Sequence, residues 1–234
     1  MKGIVLAGGL GKRMLPLTEI DNKHLLPVGA RRMVELPINS LASAGIDEVV
    51  LITGGQRAGA FLELLKNGKH LGLKRLYYTY QEGSGGIVEA LKLAEPFLGH
   101  GEPCAVILGD NYFEESLAPY VKNWNGHGAG ILYTTSSHPS DFGVIQTDGS
   151  RVTSLVEKPT HPLGNLIVPG LYFFDYSVWR LAHQVERAHS GELEIVDLLR
   201  IYMGDEQLTC QEYSGYWNDM GTINSWTEVI RRRA

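Results

Sequence analysis

The segment LAGGLGKRMLPLT, residues 6–18, has the residue types that bind a phosphate chain. Gly8, Gly9 and Gly11 directly follow an apolar run, and Lys12 and Arg13 come next. Glycine has no side chain and accepts unusual backbone angles, so the main chain can approach a ligand closely. Exposed backbone N–H groups with two cations behind them favour an anionic ligand. The alternative is a strand-ending turn that uses its glycines for geometry alone.

Two common phosphate-binding motifs do not fit this segment. A Walker A loop has the pattern G-x-x-x-x-G-K-S/T, but Leu6 stands at its first glycine and Arg13 at its hydroxyl residue. A dinucleotide fingerprint, G-x-G-x-x-G, needs a third glycine where Met14 stands. The second apolar strand also ends in LITGG, without an acidic residue to bind a ribose. Both interpretations therefore fail.

Several charged residues elsewhere are candidates for chemistry, and each also has an ordinary structural explanation. Asp110 ends the apolar run AVILGD, where a carboxylate is costly unless it is exposed, paired or metal-bound. Asp219, in YWNDMG, is as typical of a turn as of a functional site. Lys23 alone is typical of an exposed loop lysine. Glu157 and Lys158 alone are typical of a solvated ion pair at a strand end.

Composition and charge set the class of protein. The 234 residues are 44% hydrophobic and 20% charged, which is typical of a globular chain with a sizeable core. The net charge of −5 argues against nucleic-acid binding and against attachment to an anionic membrane. We expect no signal peptide and no membrane span, because every apolar run is too short. Cys104 and Cys210 stand in unlike contexts, which indicates a reducing compartment, and we expect a cytoplasmic protein.

Apolar strand patterns alternate with helical patterns through the first half of the chain. This alternation predicts an α/β fold, in which a Rossmann-like, mixed but mainly parallel sheet is flanked by helices. Ligands of such sheets bind at the carboxyl ends of the strands, so residues 8–13, Gln81 and Asp110 should share one edge. The predicted strands span residues 3–7, 48–53, 75–80, 104–110 and 130–135, and a predicted helix spans 86–97.

The second half of the chain has a different pattern. Residues 142–159 indicate two strands around an Asp148-Gly149 turn, which predicts an antiparallel hairpin. Arg231–Arg233 end the last helix, where cations complement the helix dipole, so we expect a solvated helix end. Further predictions are strands over 165–175 and 207–221 and helices over 177–189, 192–203 and 222–233. No linker is visible in the sequence, and we expect a single domain over residues 1–234.

Seven motifs, in order, resemble those of the sugar-1-phosphate nucleotidyltransferases. The family signature L-A-G-G-x-G-T/S-R-L-x-P-L-T, followed by K-x-L/M-L-P, is similar to residues 6–18 and to NKHLLPV at 22–28. The likeness continues through YQEGSGGIVEAL, ILGDNYF, FGVIQTDG with SLVEKP, VPGLYFFD, GELEIVDLLRIYM and YWNDMGT. It spans nearly the whole chain and implies a nucleotide-diphospho-sugar transferase fold whose antiparallel hairpin binds the sugar.

The resemblance implies that a nucleotidyl group passes from a nucleoside triphosphate to a sugar 1-phosphate, with Mg²⁺ as cofactor and pyrophosphate as product. Arg13 would hold the triphosphate, Lys23 would lie near the α-phosphate, and Gln81 would read the base edge. The nucleotide would bind mainly to the first half, about residues 1–135. Its other predicted contacts are Leu6, Gly8, Gly9, Gly11, Lys12, Gly86 and Asp110.

The sugar 1-phosphate would bind mainly to the second half, about residues 136–234. By the resemblance, Glu157 would accept hydrogen bonds from sugar hydroxyls and Lys158 would meet the phosphate. Asp110 and Asp219 match a two-aspartate Mg²⁺ site. The predicted catalytic residues are Arg13, Lys23, Asp110 and Lys158, and the remaining predicted sugar contacts are Asn111, Gly143, Val168, Gly170 and Trp217.

Four residues depart from the family pattern. Lys12 replaces Thr or Ser, Met14 replaces Leu, His24 replaces a frequent Gln, and Met220 replaces Thr. We favour dTTP and glucose 1-phosphate, because NKHLLPV and YQEGSGG are most similar to that branch. The alternatives are UTP, GTP or CTP with another sugar 1-phosphate, or a nucleotide-sugar-binding protein without turnover. A glycosyltransferase is disfavoured, because LGDNYF contains one aspartate where a D-x-D metal motif needs two.

The chain is most similar to short-form members of the family. Longer members form homo-oligomers and carry a regulatory nucleotide site that involves a C-terminal extension. Because the sequence has no counterpart of that extension, we expect no feedback site, and self-association stays an open alternative.

Overall fold

The first strand shows how the sheet divides the interior into two layers. The computed structural model describes residues 1–55, 57–188 and 191–234, and its first strand, β1, spans Lys2–Ala7. Successive side chains of a strand point to opposite faces. Ile4 and Leu6 accordingly enter one apolar core, and Val5 and Ala7 enter the other. The apolar run thus forms a central strand with both faces covered, as expected.

The main sheet is mixed and has ten strands in the described part of the chain. The strands after β1 are β2 (Pro27–Val28), β3 (Arg31–Arg32), β4 (Glu48–Gly54), β5 (Arg75–Gln81), β6 (Cys104–Leu108), β7 (Asn111–Phe113), β8 (Ala129–Thr135), β9 (Gly143–Asp148), β10 (Arg151–Glu157), β11 (Leu166–Ile167), β12 (Leu171–Phe174), β13 (Leu208–Glu212) and β14 (Trp217–Asp219). The strand order of the main sheet is β11-β9-β10-β13-β8-β12-β6-β1-β4-β5.

Strand direction differs between the two halves of this sheet. The block β6-β1-β4-β5 is parallel, and β12 runs antiparallel between β6 and β8. The other antiparallel pairings of this sheet join β9 to β10 and β11, β10 to β13, and β11 to β8. The predicted α/β class is confirmed, and each antiparallel pairing described in this sheet includes a strand from the second half of the chain.

Helices cover both faces of the sheet. They are α1 (Glu35–Ser43), α2 (Ala58–Leu65), α3 (Ile87–Lys92), α4 (Ala118–Asn123), α5 (Val178–Ala182), α6 (Ile195–Gly204) and α7 (Ile223–Arg233). Residues of α3, α5 and α6 join one core, and residues of α1, α2 and α4 join the other. On α6, apolar residues at helical spacing are buried: Ile195, Leu198, Leu199 and Tyr202.

The parallel block brings four strand ends to one edge. Its register pairs Ala7 with Thr53 and Leu6 with Leu108, and it pairs Gly54 with Gln81. The loops after β1, β4, β5 and β6 therefore leave the sheet at the same level. This is the edge where we expect residues 8–13, Gln81 and Asp110 to lie together.

The second half keeps the predicted hairpin but divides two predicted strands. β9 and β10 pair antiparallel around Gly149, as expected. The segment 165–175 is not one strand, because Val168-Pro169-Gly170 separates β11 from β12. The segment 207–221 is likewise divided, and β14 leaves the main sheet to pair with β7. The helix predicted over 177–189 is limited to Val178–Ala182, and its residue 189 lies outside the described residues.

A third, smaller apolar cluster joins the start of the chain to its end. Met14 from the glycine-rich segment and Met220 from the end of β14 are both fully buried in it, together with Met33. From α7, Val229 enters the same cluster, and Trp226 donates a hydrogen bond of 2.9 Å to the Pro27 carbonyl oxygen. The cluster therefore couples the segment after β1 to the strand that carries Asp219.

The arginines at the end of α7 do more than complement its dipole. All three are exposed, as expected. The Arg232 guanidinium, however, lies 3.9 Å from the centre of the Tyr216 ring and donates two hydrogen bonds to Glu114. Arg233 lies 5.3 Å from the Tyr112 ring centre. These contacts hold α7 against β7 and its surroundings.

None of the helices in the described segments is both long and apolar enough to cross a lipid bilayer.

We predict that Met33→Ala lowers the free energy of unfolding by about 2–5 kcal/mol, because it opens a cavity at a fully buried position. The matched Met33→Leu variant keeps most of the volume and should cost less than about 1.5 kcal/mol. Urea unfolding of both variants measures the difference. Equal costs would show that the third cluster does not pack tightly around this residue.

Candidate active site

A cleft of about 320 Å³ lies at the carboxyl edge of the parallel strands. Its walls come from the loops after β1, β5 and β6 and from α3. The predicted nucleotide contacts that line it are Leu6, Gly8, Gly9, Gly11, Lys12, Lys23, Gln81, Gly86 and Asp110. The walls also include Leu10, His24, Ser84, Ile87, Ala90, Leu108 and Glu192, which were not among the predicted contacts. Arg13 is the one predicted nucleotide contact that does not line this cleft.

The glycine-rich segment forms a tight turn rather than a long helix. Gly11 has φ 65°, in the left-handed region where a side chain is unfavourable. Its carbonyl oxygen accepts hydrogen bonds from the Thr18 hydroxyl at 2.9 Å and from the Met14 N–H at 2.8 Å. A single 3-10 turn, Lys12–Met14, follows. Successive residues of this turn diverge, so Lys12 lines the cleft and Arg13 does not.

An ion pair between Lys23 and Asp110 lies at the floor of the cleft. Lys23 begins a 3-10 turn that Asn22 caps, since the Asn22 Oδ1 accepts a hydrogen bond of 3.0 Å from the His24 N–H. Asp110 is buried, and burial alone would raise its pKa. Burial is the largest single cause, but the Lys23 charge together with the hydrogen bonds from Lys23 and Asn111 outweighs it and holds the pKa of Asp110 well below its usual range. The carboxylate is therefore ionised at neutral pH.

His24 is a neutral packing residue beneath the glycine-rich segment. Burial, followed by the neighbouring Lys23 charge, lowers the pKa of His24 to about 3. Its Nδ1 lies 2.8 Å from the Asn22 Oδ1, an acceptor, so this nitrogen carries the proton. A side chain at Gly109 would approach the imidazole to 2.8 Å. The ring therefore fills the space between the loops after β1 and β6.

Asp219 is the second carboxylate of the site. The pairing of β14 with β7 sets Asp219 opposite Asn111, and the Met220 N–H donates to the Asp110 carbonyl oxygen at 2.9 Å. Burial, and then the negative charge of Asp110, raises the pKa of Asp219 to about 6. Arg13 compensates in part, with its Nη2 3.8 Å from Asp219 Oδ2.

The two aspartates fit a divalent cation that is completed by substrate. Asp219 Oδ1 is buried and has no hydrogen-bond partner in the described part of the chain, which leaves one oxygen ready to coordinate. No cluster of three or more histidine, cysteine, aspartate or glutamate side chains suited to a metal occurs among the described residues. Mg²⁺ is typically bound by one or two carboxylates together with phosphate oxygens and water. The site therefore suits a metal that arrives with phosphate.

The Gln81 amide, which we predict to read the base, is held in one orientation at the cleft wall. Its Nε2 donates a hydrogen bond of 3.2 Å to the Gly86 carbonyl oxygen, which fixes the amide orientation. Its Oε1 lies only 2.7 Å from where a side chain at Gly8 would begin, so Gly8 keeps this oxygen accessible. One N–H and the carbonyl oxygen of the amide are left for a ligand.

The segment 191–194 reaches the cleft from the second half of the chain. The Leu193 N–H donates to Gly85 at 2.8 Å, and the Leu193 carbonyl oxygen accepts from Val88 at 3.1 Å. These bonds bring Glu192 into the cleft wall. Sequence analysis missed Glu192, because the segment 192–203 predicts a single helix, whereas α6 begins only at Ile195. The motif resemblance was the only signal, and the apolar period of α6 masked it.

Asn111 connects the cleft to the predicted sugar contacts. Its Oδ1 accepts hydrogen bonds from the Gly170 N–H at 2.9 Å and from the Trp217 Nε1 at 2.7 Å. Its Nδ2 donates to Asp110 Oδ1 at 3.1 Å. The Oδ1 atom thus already accepts two hydrogen bonds. Through these contacts, Asn111 orients Asp110 and the segment 168–170.

The remaining predicted sugar contacts lie together at the end of the hairpin. Gly143 pairs with Glu157 across β9 and β10, and the Gly143 carbonyl oxygen accepts a hydrogen bond of 2.9 Å from Val168. Lys158 has φ 39°, a strained value for a non-glycine residue, and its Nζ lies 3.1 Å from Glu157 Oε1. Trp217 meets the Phe142 ring edge-on at 5.3 Å between ring centres.

Comparison with known proteins gives a consistent result. The nucleotidyl transferase family model matches residues 2–234. A glucose-1-phosphate thymidylyltransferase of Neisseria gonorrhoeae is 38% identical over 235 residues, which covers 98% of this chain and 81% of the relative.

Solved structures with the same fold agree. A Bacillus anthracis protein, provisionally assigned as a glucose-1-phosphate thymidylyltransferase and solved with sucrose, superposes with a TM-score of 0.93 at 36% identity. The match covers 99% of this chain and 94% of that one. A UDP-glucose pyrophosphorylase complexed with UDP-glucose gives a TM-score of 0.86 at 20% identity, over 99% of this chain and 97% of that one. This second match supports the fold alone.

We predict that Gly86→Ala is more destabilising than Gly83→Ala. Both glycines have positive φ, 97° and 71°, so both variants should carry a backbone strain of about 1–3 kcal/mol. A side chain at Gly86 would also approach the Leu193 backbone to 2.5 Å, whereas one at Gly83 meets nothing within 4 Å. Urea unfolding compares the pair. Equal costs would argue against the close contact between residues 86 and 193.

Proposed function

Given that the chain belongs to the nucleotidyl transferase family and is a sugar-1-phosphate nucleotidyltransferase, we propose that its substrates are dTTP and glucose 1-phosphate. The products would be dTDP-glucose and pyrophosphate. The observation that supports the reaction most strongly is that Lys23 and Asp110 form an ion pair at the floor of the cleft, with Asp219 close to Asp110. The name of the N. gonorrhoeae relative supports the same choice of substrates.

The reaction needs charge compensation more than proton transfer. A phosphate oxygen of glucose 1-phosphate attacks the α-phosphorus, and the bond from that phosphorus to the bridging oxygen of the β-phosphate breaks. The attacking oxygen is already an anion, so a strong general base is not required. Two anionic reactants must instead be held together and in line. Lys23 would neutralise charge at the α-phosphate, and Arg13 would contribute positive charge beside the triphosphate.

A divalent cation would fit between the two aspartates and the phosphates. Asp110 and Asp219 would hold Mg²⁺, which when bound polarises the phosphoryl oxygens and offsets the charge that develops on them. In the free protein, Lys23 forms an ion pair with Asp110, and Arg13 lies beside Asp219. Each aspartate thus already has a basic partner that can turn towards a phosphate.

The sugar 1-phosphate would bind at the end of the β9–β10 hairpin. Glu157 would accept hydrogen bonds from sugar hydroxyls, and Lys158 would bind the phosphate group. Gly143, Val168 and Gly170 would present backbone groups to the sugar, with Trp217 as one wall. Asn111 would orient this segment rather than contact the sugar through its oxygen, because that oxygen already accepts two hydrogen bonds.

Cytoplasmic location is part of the same proposal. Cys104 and Cys210 are both buried free thiols, which suits a reducing compartment. A nucleoside triphosphate substrate suits the same compartment.

Pyrophosphate release with Mg²⁺, measured over dTTP, UTP, CTP, GTP and ATP and several sugar 1-phosphates, tests the proposal. We expect the highest kcat/KM for dTTP with glucose 1-phosphate. UTP should be a weaker second substrate, because it differs by one methyl group and one hydroxyl, which a pocket rejects only modestly. If another pair of nucleotide and sugar 1-phosphate has the highest kcat/KM, the proposed reaction stands and the proposed substrates are wrong. A folded protein that binds nucleotide without turnover would favour the binding-protein alternative.

We predict that Asp110→Asn lowers kcat by at least about 100-fold, because it removes charge from the group that orients Lys23 and the metal. Asp205→Asn is the matched control, since Asp205 is exposed at the end of α6. Circular dichroism confirms that both variants are folded. Undiminished turnover in Asp110→Asn would contradict the site assignment.

A further inference from the structure

The two cations after Gly11 have different surroundings. Lys12 lines the cleft together with Gly8, Gly9 and Lys23. Arg13 lies outside the lining, and its guanidinium is directed at Asp219. A side chain at Gly221 would meet the Arg13 Nη2 at 2.7 Å, so the glycine leaves room for the guanidinium beside this carboxylate. The adjacent residues Lys12 and Arg13 therefore lie in different places: Lys12 lines the cleft, and Arg13 lies beside Asp219.

Lys12 also differs from the other basic residues of the site in its partners. Lys23 is paired with Asp110, Arg13 lies near Asp219, and Lys158 is paired with Glu157. Lys12 has no carboxylate within ion-pairing distance among the described residues. A bound anion can therefore gain the Lys12 charge without first breaking an internal ion pair, unlike the charge of the other three.

We propose that Lys12 binds the terminal phosphates of the nucleotide and the pyrophosphate that leaves, a role that rests on the proposed function for its choice of ligand. Lys23, at the buried floor, lies nearest the reacting α-phosphate. The β- and γ-phosphates then extend towards the exposed mouth, where Lys12 stands. Their charge is the largest in the substrate, and an ammonium group on a flexible stem can follow it from substrate to product.

This assignment gives the Lys12 substitution a chemical meaning. The family pattern has a hydroxyl residue here, which contributes a hydrogen bond without charge. A lysine adds a charge-assisted hydrogen bond to the leaving group. The chain should therefore bind pyrophosphate more tightly than a hydroxyl variant, and pyrophosphate should inhibit its forward reaction more strongly.

Calorimetric binding of inorganic pyrophosphate, at one fixed Mg²⁺ concentration, tests Lys12 directly. Lys12→Met keeps the length of the side chain and removes its charge. We expect the Kd for pyrophosphate to rise about tenfold, the scale of one charge-assisted hydrogen bond at a partly exposed site. The control Lys122→Met removes an exposed lysine on α4, and it should change the Kd less than about twofold. Lys12→Thr restores the family residue and should behave like Lys12→Met.

A series of nucleotides locates the contact along the phosphate chain. In Lys12→Met, dTTP should lose about the same tenfold affinity as pyrophosphate, and dTMP should lose less than about twofold. An equal loss for dTMP would place Lys12 at the α-phosphate and overturn the proposal. So would an unchanged Kd for pyrophosphate. Pyrophosphate has neither base nor sugar, so this result stands apart from the choice of dTTP and glucose 1-phosphate.

Discussion

The buried carboxylate of Asp110 is the constraint on which the site depends. An ionised carboxylate without a partner in the interior is strongly unfavourable, and Lys23 supplies the partner. The position of Lys23 requires the Asn22 cap and the His24 packing beneath the glycine-rich segment. Burial and then the ionised Asp110 raise the pKa of Asp219, and Lys23 and Arg13 offset this in part. The glycine-rich segment, the floor of the cleft and β14 are thus linked through the charge of Asp110.

Much of this arrangement follows from local sequence patterns. The near-continuous apolar runs of β1, β4 and β6 predict a covered parallel block, and the rule for strand ends then places Gly8, Gln81 and Asp110 together. The β9–β10 hairpin is predicted by its Asp-Gly turn. The division of 165–175 is harder to predict. Pro169 lies within an apolar segment that reads as one strand, and the break depends on Asn111, which binds the Gly170 N–H across 59 positions.

Contacts between distant segments explain the other differences. The pairing of β14 with β7 and the approach of Leu193 to Gly85 join residues that local periodicity treats separately. Glu192 enters the cleft only through this approach. In the sequence, Met14 and Met220 are two separate departures from the family pattern. In the structure, both side chains are fully buried in the third cluster. Methionine is unbranched and fills irregular space, so the two departures are best understood as one packing solution beneath Arg13 and Asp219.

Under the proposed function, base selection would begin with the hydrogen-bonding capacity that remains on Gln81. The bond from its Nε2 to the Gly86 carbonyl oxygen fixes the amide, so the side chain presents one acceptor and one N–H side by side. The N–H and adjacent C=O of thymine and uracil complement this pair, but so do the exocyclic amine and ring nitrogen of cytosine and adenine. Guanine also offers an N–H beside a C=O. Hydrogen bonding at Gln81 therefore does not by itself exclude any base, and we infer that rejection of a purine depends on the apolar wall formed by Ile87, Ala90 and Leu108.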